Sequence, residues 1–141
     1  MRTTSADQEL ATRLRLAVTR SARRLRQAAG TDLSPSLTAA LATVERHGPL
    51  TPTELAARER IQRPTATRVL CRLEEAGLVS RAADPSDRRS ALISATPAGR
   101  DLLATARTRK DAFLSARLDE LPAADRETLQ RAAALLEGML E

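Results

Sequence analysis

The stretch Arg63-Pro64-Thr65-Ala66-Thr67-Arg68-Val69-Leu70-Cys71-Arg72-Leu73-Glu74-Glu75-Ala76-Gly77-Leu78-Val79-Ser80-Arg81 decides the fold, because its repeat changes partway along. Ala66, Val69, Leu70 and Leu73 recur at helical spacing, Pro64 suits a first helical position, and Gly77 suits a left-handed stop, which predicts a helix over 64–76. From Leu78 the pattern is that of strands. Leu78–Arg81 and Ser90–Ser94 are short strand candidates on either side of Asp84-Pro85-Ser86-Asp87-Arg88-Arg89, whose residues favour a turn. The expectation is an antiparallel hairpin with a charged tip.

Upstream, Ser34-Pro35 supplies a cap and a helix start, and Leu37, Ala40, Leu41 and Val44 form a stripe that Gly48-Pro49 ends, so a helix is expected over 35–47. Thr51-Pro52-Thr53-Glu54 has the form of a capping box and opens a short helix over 52–59. Helix, tight connection, helix and hairpin within 35–95 make a winged helix-turn-helix, in which the second helix of the pair enters the major groove of DNA. Further out, Leu10, Leu14, Val18 and Leu25 mark a helix over 7–29. Thr96-Pro97 starts a long helix to about 120, and Pro122 opens a last one with Leu129, Leu136 and Leu140 on its apolar face. The fold class is mainly α with a small β-hairpin, one domain over 1–141.

The composition agrees. The 141 residues are 42% hydrophobic and 29% charged with one aromatic, Phe113, so the chain has the means to bury a core. No apolar run approaches the ~20 residues of a membrane span, and arginines interrupt the N-terminal stretch where a signal peptide needs an apolar core, which predicts a cytoplasmic protein. One cysteine, Cys71, and one histidine, His47, cannot build a structural zinc site, so neither metal nor cofactor is expected. Enzymatic chemistry is disfavoured too: there is no phosphate-binding glycine loop, and Cys71 and His47 fall on separate elements.

Net charge is +5, and all but one of the 23 basic residues are arginine, the exception being Lys110. Much of that excess reads as composition, since residues 1–30 alone carry +5. Placement is more telling. Winding 64–76 at about 100° per residue turns Pro64, Thr67, Arg68, Cys71 and Glu75 outward, with Arg63, Thr65 and Arg72 at the flanks. Between Arg58 and Arg72 five arginines face one acid, Glu59, whereas residues 96–141 carry −1.

These residues resemble a known family. Asp87-Arg88-Arg89-Ser90-Ala91-Leu92-Ile93-Ser94-Ala95-Thr96-Pro97-Ala98-Gly99 is similar to the wing signature of the MarR (multiple antibiotic resistance regulator) transcription factors, with Asp87, Arg89, Thr96 and Gly99 matching and Ala95 replacing the usual leucine. Arg63–Leu70 and Leu73–Arg81 also resemble family segments. The resemblance implies that Arg89 reaches toward the minor groove, held by an ion pair with Asp87, and that Arg88 contacts phosphate. Thr65, Thr67 and Arg68 are candidates for base-edge or phosphate contacts and Arg63 and Arg72 for phosphate, with Pro64 on the same face.

The terminal helices, 7–29 and 97–140, hold more apolar surface than residues 35–95 can cover and resemble the family's intertwined dimerisation region. Leu10, Leu14, Val18, Leu129, Leu136 and Leu140 are the expected contacts of a homodimer on a pseudo-palindromic operator, with recognition helices ~34 Å apart. The family implies repression relieved by a small effector, commonly aromatic or phenolic, bound between the dimer helices and the winged region. With one aromatic in the chain, an aromatic-lined pocket is not available, and leucine, alanine and arginine would have to hold the ligand. Two alternatives stand beside this reading: a thiol-based redox sensor using Cys71, and a winged-helix protein-interaction module that does not bind DNA.

Overall fold

Prolines and hydroxyl caps divide the chain into helices. The computed structural model describes residues 4–140, with α1 (Ser5–Ala29), α2 (Pro35–His47), α3 (Pro52–Glu59), α4 (Arg63–Glu75), β1 (Val79–Asp84), β2 (Asp87–Ala95), α5 (Pro97–Asp119) and α6 (Ala123–Leu140). The fold is mainly α with one antiparallel hairpin. Ser34, Thr51 and Thr96 each accept a hydrogen bond from the amide three residues on, at 3.3, 3.2 and 3.1 Å, and each is followed by a proline that lacks a donor to waste.

Two local expectations change. At Thr51 only half of the capping box forms, because the structure has no return hydrogen bond from the Thr51 amide to Glu54. The complete box is at the start of α1, where Thr4 accepts from the Asp7 amide and the Asp7 carboxylate takes the Thr4 amide at 3.1 Å. The hairpin is longer than expected: Asp84 and Asp87–Arg89 are strand, and only Pro85 and Ser86 turn the chain. A register irregularity between Ala83 and Asp84 absorbs the mismatch, so Arg88 and Arg89 stand on β2 rather than in a loop.

The core lies under α4. Leu41 of α2, Leu50, Leu55 of α3, Leu70 and Leu73 of α4 and Ile93 of β2 are fully buried against one another, each contributing about 1.5–3 kcal/mol by leaving water. Leu50 joins the wing as an isolated bridge, its amide and carbonyl exchanging hydrogen bonds with Ile93 at 3.0 and 2.7 Å. This ties the segment before α3 to the base of β2. Between α3 and α4 the turn is made by Arg60, left-handed at φ 53°, and by Ile61, whose amide donates to the Ala56 carbonyl at 3.0 Å.

Gly77 ends α4 with φ +74°, and the Leu78 amide donates to the Leu73 carbonyl at 2.9 Å, the wrap of a Schellman stop. That turn is fastened to the start of α5. The Thr96 hydroxyl donates to the Gly77 carbonyl at 2.7 Å and the Thr96 amide to the Leu78 carbonyl at 3.0 Å. Gly99 is buried in the same contact, and a Cβ there would overlap the Leu78 carbonyl oxygen. The Thr96-x-x-Gly99 pair therefore has a mechanical reason: the end of α4 and the first turn of α5 approach too closely for any side chain.

α5 continues along α1. Arg109 donates to the Ala29 carbonyl at 3.2 Å and so caps the C-terminus of α1, while Arg107 pairs with Glu45 of α2 at 2.9 Å. Two guanidinium groups approach the Phe113 ring, Arg117 at 3.4 Å and Arg24 at 5.9 Å from its centre. α6 buries no residue.

Candidate nucleic-acid interface

α4 separates into two faces. Ala66, Leu70 and Leu73 are 0% exposed, which leaves Arg63, Pro64, Thr67, Arg68, Cys71 and Arg72 on the outer surface and Thr65 and Val69 half-buried at the border. The expected outward set is thus brought together, Thr65 sitting lower than its neighbours. Its hydroxyl accepts a long contact from Arg68 Nη2 at 3.5 Å. The Thr67 hydroxyl donates back to the Arg63 carbonyl at 3.1 Å, so its proton is used within the helix.

Arg68 and Arg72 line a groove of about 260 Å³ with Ser34, Ser36 and Leu37 of the α2 entrance. Arg58 and Arg60 belong instead to α3 and its closing turn, and they do not share the α4 face. Of the five arginines in this basic stretch, Arg63, Arg68 and Arg72 are the ones that helical winding places on α4, and there the structure has them exposed.

On the wing, Asp87, Arg88 and Arg89 are exposed near the hairpin tip. The ion pair that the resemblance implies between Asp87 and Arg89 is not formed. Instead Asp87 Oδ1 accepts the Arg89 backbone amide at 2.9 Å, because both side chains start from one strand two residues apart and the amide is the nearer donor. The consequence is a free Arg89 guanidinium above a backbone that Asp87 holds in place. Across the turn, the Asp84 carboxylate accepts from the Ser86 amide and hydroxyl at 2.9 and 2.7 Å. Those two hydrogen bonds, the hydroxyl's foremost, hold the Asp84 carboxyl below its ordinary range.

The sequence reading missed the link between helix and wing: Arg81 of β1 pairs with Glu74 of α4 at 3.2 Å. Opposite charges on either side of the Gly77 turn were the available signal. Among the described residues the ion pairs are this one and Arg107–Glu45, so none of Arg63, Arg68, Arg72, Arg88 and Arg89 is neutralised by an acid. The arrangement is a row of uncommitted guanidinium groups on one helix face and one wing, suited to phosphate oxygens and groove edges. Cys71 is a free thiol on the same face.

Away from this surface, a cavity of about 340 Å³ opens among α1, the α1–α2 connection, α2 and α5. Of the expected dimer contacts, Leu10, Leu14, Val18, Leu129 and Leu140 are 54%, 37%, 52%, 47% and 87% exposed, and Leu136 is half-buried. No helix among the described residues is long and apolar enough to cross a membrane.

Known proteins share both the sequence and the shape. A profile of the MarR family matches residues 33–91. An HTH-type transcriptional regulator of Mycobacterium tuberculosis is 37% identical over 137 residues, 96% of each chain. A solved chain from Pseudomonas aeruginosa is 34% identical with TM-score 0.88 over 98% of each chain. A variant of MepR from S. aureus, solved bound to an oligodeoxyribonucleotide, shares the fold at 19% identity, with TM-score 0.73 over 94% of this chain and 98% of that one. The family consists of regulators, not enzymes, and its profile and full-length relative coincide with the helix-turn-helix, wing and long helices described above: the chain belongs to the MarR family of HTH-type transcriptional regulators.

Proposed function

We propose that the chain is a homodimeric cytoplasmic repressor that binds a pseudo-palindromic operator through residues 35–95 and is released by a small molecule. In this reading α4 enters the major groove, with Thr67 and Arg68 at base edges, Thr65 and Pro64 bordering them, and Arg63 and Arg72 on phosphate. Arg88 and Arg89 serve the backbone and minor groove, and Asp87 orders the strand that carries them. The observation that carries the reading is the uncommitted arginine row, which lies opposite a fully buried helix face.

Dimerisation through 7–29 and 97–140, within a single domain, is supported by the leucines left exposed on α1 and α6. Release by an effector is supported by the cavity among α1, α2 and α5, since a ligand there touches the helices of both regions at once. The test is a gel shift with the promoter beside the protein's own gene over a salt series, run with sedimentation. Affinity falling steeply with salt and a particle of two chains are expected. Salt-independent binding, or no binding at all, overturns the DNA reading, and a 15.3 kDa particle at micromolar concentration overturns the dimer.

A further inference from the structure

We propose that the cavity among α1, α2 and α5 takes an aliphatic monocarboxylate, an inference that rests on reading this cavity as the effector site and names the ligand class. Its volume of about 340 Å³ falls at the small end of ligand sites, about 300–1,000 Å³. The walls are leucine, alanine and proline, with Leu25, Ala29, Leu33 and Ala42 among them. The chain's one aromatic ring, Phe113, is engaged elsewhere by Arg24 and Arg117. A flat ring finds no stacking partner here, whereas a flexible alkyl chain finds branched and methyl side chains to pack on.

The polar groups at the wall select against a ligand rich in hydroxyls or amides. Thr38 spends its hydroxyl proton on the Ser34 carbonyl at 3.1 Å, and the Thr31 hydroxyl accepts the Leu33 amide at 3.2 Å. Each hydroxyl keeps only part of its capacity open, Thr38 as acceptor and Thr31 as donor, too few partners for the several hydroxyls of a sugar or the polar edge of a nucleobase, most of which would give up water unpaired. One charged head group is a different matter, because Arg26 and Lys110 both line the cavity and neither belongs to an ion pair among the described residues.

Lys110 is the informative one. It is the only lysine among 23 basic residues, and it is half-buried at the cavity, whereas Arg26 is exposed. It is not needed to cap the negative end of α1, since Arg109 already donates to the Ala29 carbonyl there. An ammonium is a compact charge with three donors and fits beside an alkyl chain where a planar guanidinium would fill the space. The arrangement therefore offers an alkyl slot ending on a cation, which is the shape of a short fatty-acid anion.

The test is calorimetric titration of the full-length protein with hexanoate, heptanoate, octanoate, octan-1-ol and benzoate, repeated on Lys110→Met and Arg26→Gln, with melting curves confirming that each variant folds. We expect one alkanoate per chain, binding about fourfold tighter for each added methylene, and octan-1-ol at least tenfold weaker than octanoate. Lys110→Met should remove most of the preference for the acid over the alcohol while leaving octan-1-ol binding unchanged, and Arg26→Gln should reduce it by less. Benzoate binding as tightly as octanoate, or an acid preference undiminished in Lys110→Met, overturns the ligand class. Octanoate binding as expected with no change in DNA affinity upholds the ligand class and overturns the effector reading. Release of DNA by a different ligand in this cavity, without alkanoate binding, does the reverse.

Discussion

Helices α4 and α6 spend their apolar residues differently. α4 sinks Ala66, Leu70 and Leu73 to 0% exposure, so its inner face is satisfied by its own chain and its outer face is free to be polar. α6 is longer, buries nothing, and leaves Leu135, Met139 and Leu140 at 70%, 73% and 87% exposure. An apolar helix left in that state in water wants a cover. The contrast separates what one chain completes by itself, the winged region, from an apolar face that the proposed dimer would cover.

Substitutions on the two sides should therefore fail in different ways. The largest effect is expected where a charge enters the proposed dimer seam: Leu14→Glu buries an unpaired carboxylate, costing about 3–5 kcal/mol. Sedimentation should then show the single chain of 15.3 kDa with the helical circular dichroism largely kept. Dimers persisting through Leu14→Glu would mean that α1 is not part of the seam. On the α4 side, Leu70→Ala should cost about 2–5 kcal/mol of unfolding stability by opening a cavity in a filled core. Urea melts that match the wild type would show that this core relaxes around the hole.

Smaller effects distinguish helix from wing. Arg68→Ala should cost about 1–3 kcal/mol in operator binding and relax preference at one base position, whereas Arg89→Ala should weaken all sequences alike and lower the salt slope by about one. Competition gel shifts with single-base operator variants separate the two, and equal operator affinities of Arg89→Ala and wild type would remove the wing from the interface.

The smallest effect concerns the wing tip. The Asp84 carboxyl is held below its ordinary 3.8 by Ser86, so the ionised form steadies the turn. That contribution is complete above the ordinary value and is lost as pH falls through the lower folded value. Ser86→Ala removes the leading cause, and an NMR titration should find Asp84 moved upward; an unmoved value would show that the hydroxyl does not hold it.

The helices of the winged region were legible because hydroxyl–proline pairs and glycines punctuate them chemically, at Ser34-Pro35, Thr51-Pro52 and Gly77. The hairpin length was not. Most of Ser80–Arg89 is exposed on both faces, so no alternation of buried and solvated residues marks it as strand, and Pro85 beside two aspartates reads as a longer turn than two residues make. The outward set on α4 followed from helical winding alone. The Asp87–Arg89 pairing failed because one strand places a carboxylate nearer to a backbone amide than to a guanidinium tip. The family resemblance implied a ligand site between the dimer helices and the winged region, but not its lining, since Leu25, Ala42 and Lys110 stand on three different helices and meet only when these pack.

The fastening of Thr96 and Gly99 onto Gly77 and Leu78 makes α5 a lever. Its 23 residues extend about 34 Å at 1.5 Å per residue, and the end nearest the recognition helix is clamped by two hydrogen bonds and a contact with no room for a methyl group. A clamp of this kind has no slack. In the proposed dimer, a tilt given to the shaft of α5 by a ligand at Lys110 or by the second chain would be passed to the end of α4 through this joint. The hydrogen bonds at the wing tip, by contrast, stay within its own turn, from Asp84 to Ser86 and from Asp87 to Arg89.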